Sequence, residues 1–335
     1  MASAAGGEEA QIRAALARNP RDIGALLAMG GLKARTGDDR AATGFFRTAL
    51  NQARVTPPPP ALHGALRQAE QWLQEASRQY EAHLLRGVGD VSGLPRVAHA
   101  LDLLLGRTPL YLQQPSLFYF PGLPQRPFYA REEFPWLSDI EAMTEAMAAE
   151  ARTILADGVG MQPYVETPRD RPAPNNPLRD NPDWSAFFLW RGGAVQAANA
   201  ARAPTMMAAL EKAPVPRIAR RSPMALMSVL TPGTHIQPHH GMLNTRLIVH
   251  VPLISNPDCA LRVGPETRGW VPGQALIFDD SFEHEAWNRG SETRAVLLFE
   301  IWRPEITAEE REVLTRLFET IDRFGPGAAE SGGDQ

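Results

Sequence analysis

From about residue 184 the chain changes texture: the helix-like spacing of residues 11–85 gives way to short apolar, β-branched runs cut by Pro-Gly, Asn and Asp. Runs of this length are too short for helices that bury a stripe. Their punctuation instead predicts strands at 185–190, 224–230, 245–253, 260–263, 269–271, 274–278 and 294–302. Many short strands in succession imply a β-sandwich or jelly roll. With helices gathered at the front of the chain, the expected class is α+β.

The chain of 335 residues divides on the same signals. Residues 1–88 read as a helical domain, 89–183 as connecting loops with a helix over 139–157, 184–324 as the β domain, and 325–335 as a Gly- and acid-rich disordered tail. In the helical part, Asn19-Pro20-Arg21-Asp22 predicts a helix start and Gly37-Asp38-Asp39 a tight turn, with a further helix over 61–86. Ser138 is placed to cap the 139–157 helix. Gly30, Gly37, Ala42, Phe46 and Ala49 resemble the spacing of one tetratricopeptide repeat, in which small residues let two helices approach and Phe46 fills the gap. That resemblance makes the helical domain a candidate docking module for a protein partner.

Charge and composition narrow the function. A net charge of −4 gives no basic field to hold nucleic acid. No run of 18 apolar residues is present to span a membrane, and residues 1–10 have neither the basic nor the apolar part of a secretory signal. The single cysteine, Cys259, rules out an intramolecular disulfide. A cytoplasmic protein is the expectation. No Gly-rich phosphate loop or dinucleotide fingerprint appears.

Two stretches carry the chemistry. In the first, Pro232-Gly233 is followed by His235, His239 and His240, then by the strand from Thr245. The period of two puts Arg246, Ile248 and His250 on one face, and Leu247, Val249 and Val251 on the other. In the second, the apolar run 275–278 ends in Asp279-Asp280-Ser281-Phe282-Glu283-His284-Glu285. Ten residues after His284, Arg294 opens a hydrophobic strand and needs an anion: a bound carboxylate, or Glu266, Asp279 or Asp280. A histidine before one strand, another after a second, and an arginine opening a third outline a non-haem iron strategy that leaves coordination positions open.

At these residues the sequence resembles the aspartyl/asparaginyl β-hydroxylase family. The match runs through Pro238-His239, Gly241, Asn244, Arg246, His250, Trp270 and Gly273. It continues through Leu276-Ile277-Phe278-Asp279-Asp280-Ser281-Phe282-Glu283-His284-Glu285 to Arg294 and Trp302-Arg303-Pro304. The resemblance implies a double-stranded β-helix (jelly roll), Fe(II), and 2-oxoglutarate and O₂ as cosubstrates. By position, His239 and His284 would ligate the metal; Ser228, His250 and Arg294 would hold 2-oxoglutarate; Arg179 and Arg246 would face substrate. The usual third ligand, a carboxylate, falls at Gly241, as in the animal members, whose two-histidine site is completed by water.

Two departures touch the substrate. Members acting on aspartyl substrates carry an arginine where this chain has Ile248, and acidic residues where it has Asn175 and Asn176. The expected activity is hydroxylation of a carbon of a peptidyl or small-molecule substrate, with succinate and CO₂ as coproducts. The alternative is a non-catalytic metal- or ligand-binding barrel that signals through the helical repeat.

Overall fold

The computed structural model describes residues 2–168, 172–173 and 175–324, so the tail expected at 325–335 lies outside the described residues. The chain forms two compact units, Met1–Thr108 and Pro109–Gln335.

The first unit is helical: α1 (Ala2–Arg18), α2 (Ile23–Arg35), α3 (Asp39–Val55), α4 (His63–Val88) and α5 (Pro95–Leu104). Asp22 starts α2 by accepting from the Ala25 N–H at 2.9 Å, and Asp38 starts α3 through the Ala41 N–H at 3.0 Å. Gly37, at φ +76°, makes the turn between them in the left-handed region that favours glycine. Gly30 is required by packing: a Cβ there would lie 2.5 Å from the Phe46 ring. Phe46 also meets Trp72 of α4, ring centroids 5.2 Å apart, so one side chain knits three helices. Helix α5 occupies sequence expected to be irregular.

The second unit is mixed helix and sheet. Its elements are β1 (Phe128–Tyr129), α6 (Leu137–Glu141), α7 (Thr144–Asp157), β2 (Gln162–Pro163), β3 (Trp184–Arg191), β4 (Ala194–Val195), α8 (Ala197–Arg202) and α9 (Pro204–Leu210). They continue with β5 (Ala225–Leu230), β6 (His235–His239), β7 (Arg246–Ile254), β8 (Cys259–Val263), β9 (Glu266–Gly269), β10 (Leu276–Phe278), β11 (His284–Asn288), β12 (Arg294–Trp302) and α10 (Ala308–Arg323). The expected 139–157 helix is two: α6 and α7 part at Ala142–Met143. Ser138 lies inside α6, its hydroxyl donating to the Pro135 carbonyl rather than capping.

Two sheets form, one in the order β1-β10-β7-β12-β5-β3-β2 with β4 beside β3, the other β6-β11-β8-β9. All the pairings within them are antiparallel. The period of two sorts the larger sheet's side chains between two cores. Leu247, Val249 and Val251 of β7, with Leu297, Phe299 and Ile301 of β12, pack with residues of α6, α7 and α9. Ile248 of β7, with Val296 and Leu298 of β12, instead meets Ile236, Leu261 and Ala286 of the smaller sheet. Helices thus cover one face of the larger sheet and the smaller sheet covers the other. The second interface is where polar residues accumulate: Ser228, His250, His284 and Arg294 are all buried.

Candidate active site

The two histidines expected to bind metal lie on strands. His239 ends β6, His284 begins β11, and the two are direct partners in the ladder. Their ring centroids are 4.1 Å apart. The ladder shifts register here, with Ile236 to His239 opposing Ala286 to His284, so β6 carries one extra residue. That bulge breaks strict alternation and brings both Ile236 and His239 to the same cavity, which a spacing of three would otherwise forbid.

Each imidazole is oriented from behind. His239 Nδ1 donates to the Gln237 carbonyl at 2.7 Å and His284 Nδ1 to the Phe282 carbonyl at 3.0 Å. A carbonyl can only accept, so each Nδ1 carries the proton and each Nε2 keeps its lone pair. This is the outer-shell arrangement that fixes metal-ligating histidines. Burial holds the His284 pKa well below 6.5, and the neighbouring His239 adds to the effect, so His284 is the neutral ligand form at neutral pH.

Arg294 lies across the same cavity, 1% exposed. Its Nη1 donates to the Ser228 carbonyl at 3.1 Å and the Ser228 hydroxyl at 3.3 Å, and its guanidinium carbon sits 4.7 Å from the Trp270 ring centroid. None of the three acids expected to neutralise it does so. Glu266 pairs with Arg268, Asp279 with Arg303 and Asp280 with Arg246. Arg294 has no acidic partner among the described residues, its buried Nε makes no hydrogen bond, and burial lowers its pKa to about 10. A buried, uncompensated cation costs several kcal/mol, which a bound carboxylate offsets.

His250 completes that end. Trp270 Nε1, a donor only, bonds to His250 Nδ1 at 3.2 Å, so the proton of a neutral ring sits on Nε2. Burial, reinforced by the Arg294 charge, holds the His250 pKa well below 6.5. Ser228, His250 and Arg294 thus offer a hydroxyl, an imidazole N–H and a guanidinium to one cavity.

No group of three His, Cys, Asp or Glu side chains is placed to hold a metal among the described residues. The reason is visible at Gly241, where a Cβ would lie 2.2 Å from Asp280 Oδ2. The Asp280 carboxylate fills the space that a side chain at 241 would need. Burial raises the Asp280 pKa to about 6, against the opposing pull of Arg246.

The residues expected to face substrate separate. Ile248 lines the cavity. Arg246 is held by Glu300 at 2.7 Å and Asp280 at 3.4 Å; burial opposes its charge, but the two carboxylates keep its pKa above the ordinary value. Arg179 lies on an exposed turn with its Nε 3.8 Å from Asp180, where the Asn176 side chain accepts from the Leu178 N–H. The cavity is also lined by Tyr164, Trp184 and Met224, none singled out in the sequence; Tyr164 and Trp184 stack with ring centroids 4.1 Å apart. Its empty space is about 480 Å³, counting the open mouth. Beneath the Asp-Asp-Ser turn, Arg303 is completely buried and bonds Asp279 at 2.6 Å, anchoring the segment that leads into His284.

The aspartyl/asparaginyl β-hydroxylase family model matches residues 141–304, the segment that carries every one of these cavity groups. Over those residues the chain is similar to the aspartyl/asparaginyl β-hydroxylase family. It is 33% identical over 205 residues to the human aspartyl/asparaginyl β-hydroxylase, covering 60% of this chain and 26% of that one. To the ornithine lipid ester-linked acyl 2-hydroxylase of Rhizobium tropici it is 33% identical over 181 residues, 53% of this chain and 61% of that one. To the aspartate β-hydroxylase domain-containing protein 2 of Xenopus tropicalis it is 30% identical over 213 residues, 62% and 55%. The chain therefore spans less than two thirds of each of these relatives. The β-hydroxylase family segment begins in the second compact unit and stays within it.

Proposed function

We propose that this chain is an Fe(II)- and 2-oxoglutarate-dependent dioxygenase, built on a double-stranded β-helix, that hydroxylates a carbon of a peptidyl or small-molecule substrate. The observation that carries the reading is the pairing of two imidazoles, ring centroids 4.1 Å apart and each held at Nδ1 by a backbone carbonyl, with a buried arginine that lacks an acidic partner among the described residues. When bound, Fe(II), 2-oxoglutarate and O₂ supply an oxidant that places one oxygen atom on an unactivated carbon and the other in succinate, with loss of CO₂. His239 and His284 would hold the metal through Nε2. Two protein ligands leave the other coordination positions to cosubstrate, water and O₂. Arg294 would pair with a 2-oxoglutarate carboxylate, while the Ser228 hydroxyl and the His250 Nε2 proton supply neutral donors alongside it. The aliphatic walls keep bulk water from these contacts, which strengthens each one.

We also read the α2–α3 hairpin, with Gly30 against Phe46, as one tetratricopeptide-like repeat serving as a docking module, and the protein as cytoplasmic. No helix among the described residues is long and apolar enough to cross a membrane.

The test of the activity is spectroscopic. Anaerobic protein with Fe(II) is expected to develop a weak visible charge-transfer band when 2-oxoglutarate is added, and to release succinate on admission of O₂. Absence of both sinks the proposal.

A further inference from the structure

Trp270 joins two of the groups assigned above to the cosubstrate. It follows β9, and among the described residues 265–274 it alone is buried, 4% exposed. Its indole packs inward from that exposed segment, into the core between the two sheets. There the Nε1–H donates to His250 Nδ1 at 3.2 Å, and the Arg294 guanidinium carbon sits over the ring, 4.7 Å from its centroid. The ring centroids of Trp270 and His250 are 6.0 Å apart. His250 and Arg294 line the cavity, and the indole stands behind them. Just beyond, Val271 bridges to Gln274, and Gly273, at φ +78°, makes the turn that closes the segment.

The two contacts act differently. A neutral imidazole can carry its proton on either nitrogen, and a lone pair turned toward an incoming carboxylate would repel it. An indole N–H can only donate. It therefore holds the lone pair of His250 at Nδ1 and sends the proton to Nε2, which leaves the histidine a donor to the cavity. Arg294 needs support of another kind. Its donors lie in the guanidinium plane, whereas the indole meets the guanidinium face. An acid in place of Trp270 would take up those donors and repel a second carboxylate. An aromatic ring steadies the cation and leaves donors for a ligand. We propose that Trp270 is a positioning residue for the 2-oxoglutarate carboxylate, setting the tautomer of His250 with its N–H and the place of Arg294 with its ring. Phenylalanine at this position would keep the second function and lose the first. The inference rests on the dioxygenase reading for the identity of the anion.

The test uses the full chain. With Fe(II) under anaerobic conditions, Trp270→Phe is expected to need about tenfold more 2-oxoglutarate to form the visible band. Trp270→Leu, which loses the ring as well, is expected to need more again, with metal affinity as in wild type for both. A general loss of packing would not reproduce two further readouts. In a His250→Gln background, Trp270→Phe is expected to cost nothing more, because the histidine it acts through is gone. In protein carrying isotope-labelled histidine and loaded with Zn(II), the nitrogen resonances that vanish in His250→Gln identify His250. They are expected to report a proton on Nε2 in wild type and a mixture of tautomers in Trp270→Phe. Wild-type demand for 2-oxoglutarate in Trp270→Phe, an equal loss in the His250→Gln background, or a His250 proton on Nδ1 in wild type overturns the inference. The last of these needs no variant of Trp270 to fold. No band from wild type overturns the dioxygenase reading and, with it, the role toward the cosubstrate; the nitrogen spectrum reports on Trp270 and His250 apart from that reading.

Discussion

At the scale of single residues, the candidate site rests on a few side chains whose roles differ in kind. On the proposed reading His239 and His284 are the two metal ligands the protein supplies, so replacing either with alanine would halve that set. Each variant is expected to lose Fe(II) or Zn(II) affinity by more than about 100-fold, read by calorimetry. Arg294→Lys keeps the charge and loses the planar fork. The visible band is expected to need tens of times more 2-oxoglutarate to form, with metal binding intact. Gly241→Asp shows why spacing alone misleads. The position looks ready to receive a third ligand, yet Asp280 already stands 2.2 Å from where the Cβ would go. The substitution is expected to destabilise by about 2–4 kcal/mol in thermal melts, and adding Asp280→Ala should recover part of the loss. Arg294's need for an anion was legible in the sequence, because an arginine opening a hydrophobic strand must find one. Which anion was not, since Glu266, Asp279 and Asp280 are all near in sequence, and only the pairing of each with another arginine removes them.

At the scale of elements, the hairpin of α2 and α3 depends on a close approach. Gly30→Ala would drive a methyl group into the Phe46 ring and is expected to cost the helical unit about 1–3 kcal/mol, seen as a lower midpoint in the loss of helical circular dichroism. Strands β3, β5, β7 and β12 were legible because the larger sheet is buried on both faces and its strands are runs of Val, Ile, Leu and Phe. Strands β6 and β11, which carry the two histidines, were not. β6 reads His-Ile-Gln-Pro-His, with a proline that argues against a strand, but β6 is a sheet edge, where a missing N–H is tolerated. β11 is short and carries polar residues on both faces, with Glu285 turned to His235 and Arg262 and Asn288 donating to the Leu230 carbonyl. β9, expected at 269–271, instead spans Glu266–Gly269; all four of its residues are exposed and give no pattern to read. Nor does a bulge announce itself in sequence, though this one decides which way His239 faces.

At the scale of the whole molecule, every group of the candidate site comes from the second compact unit. A protein comprising residues 109–335 alone is expected to bind metal and form the 2-oxoglutarate band as the full chain does; loss of both would tie the site to the helical unit. Acid should unfold the metal-free protein in a way that reports on the cavity. His250 and His284 are kept neutral when folded, but take up protons near pH 6.5 once unfolded. The unfolded state therefore binds more protons below that pH, and stability falls as pH drops from about 6.5 toward the depressed folded values, by up to about 1.4 kcal/mol per pH unit for each group. Melting temperatures across pH 7.5 to 5 are expected to show this slope, flattened in His250→Gln. A last consequence follows from the edge position of β6, whose one neighbour in the sheet is β11. A cation shared by His239 and His284 would be a cross-link fastening a rim strand to the body of its sheet. Loading the ion and locking that rim would then be a single event, and amide exchange along 235–239 would serve as a gauge of occupancy.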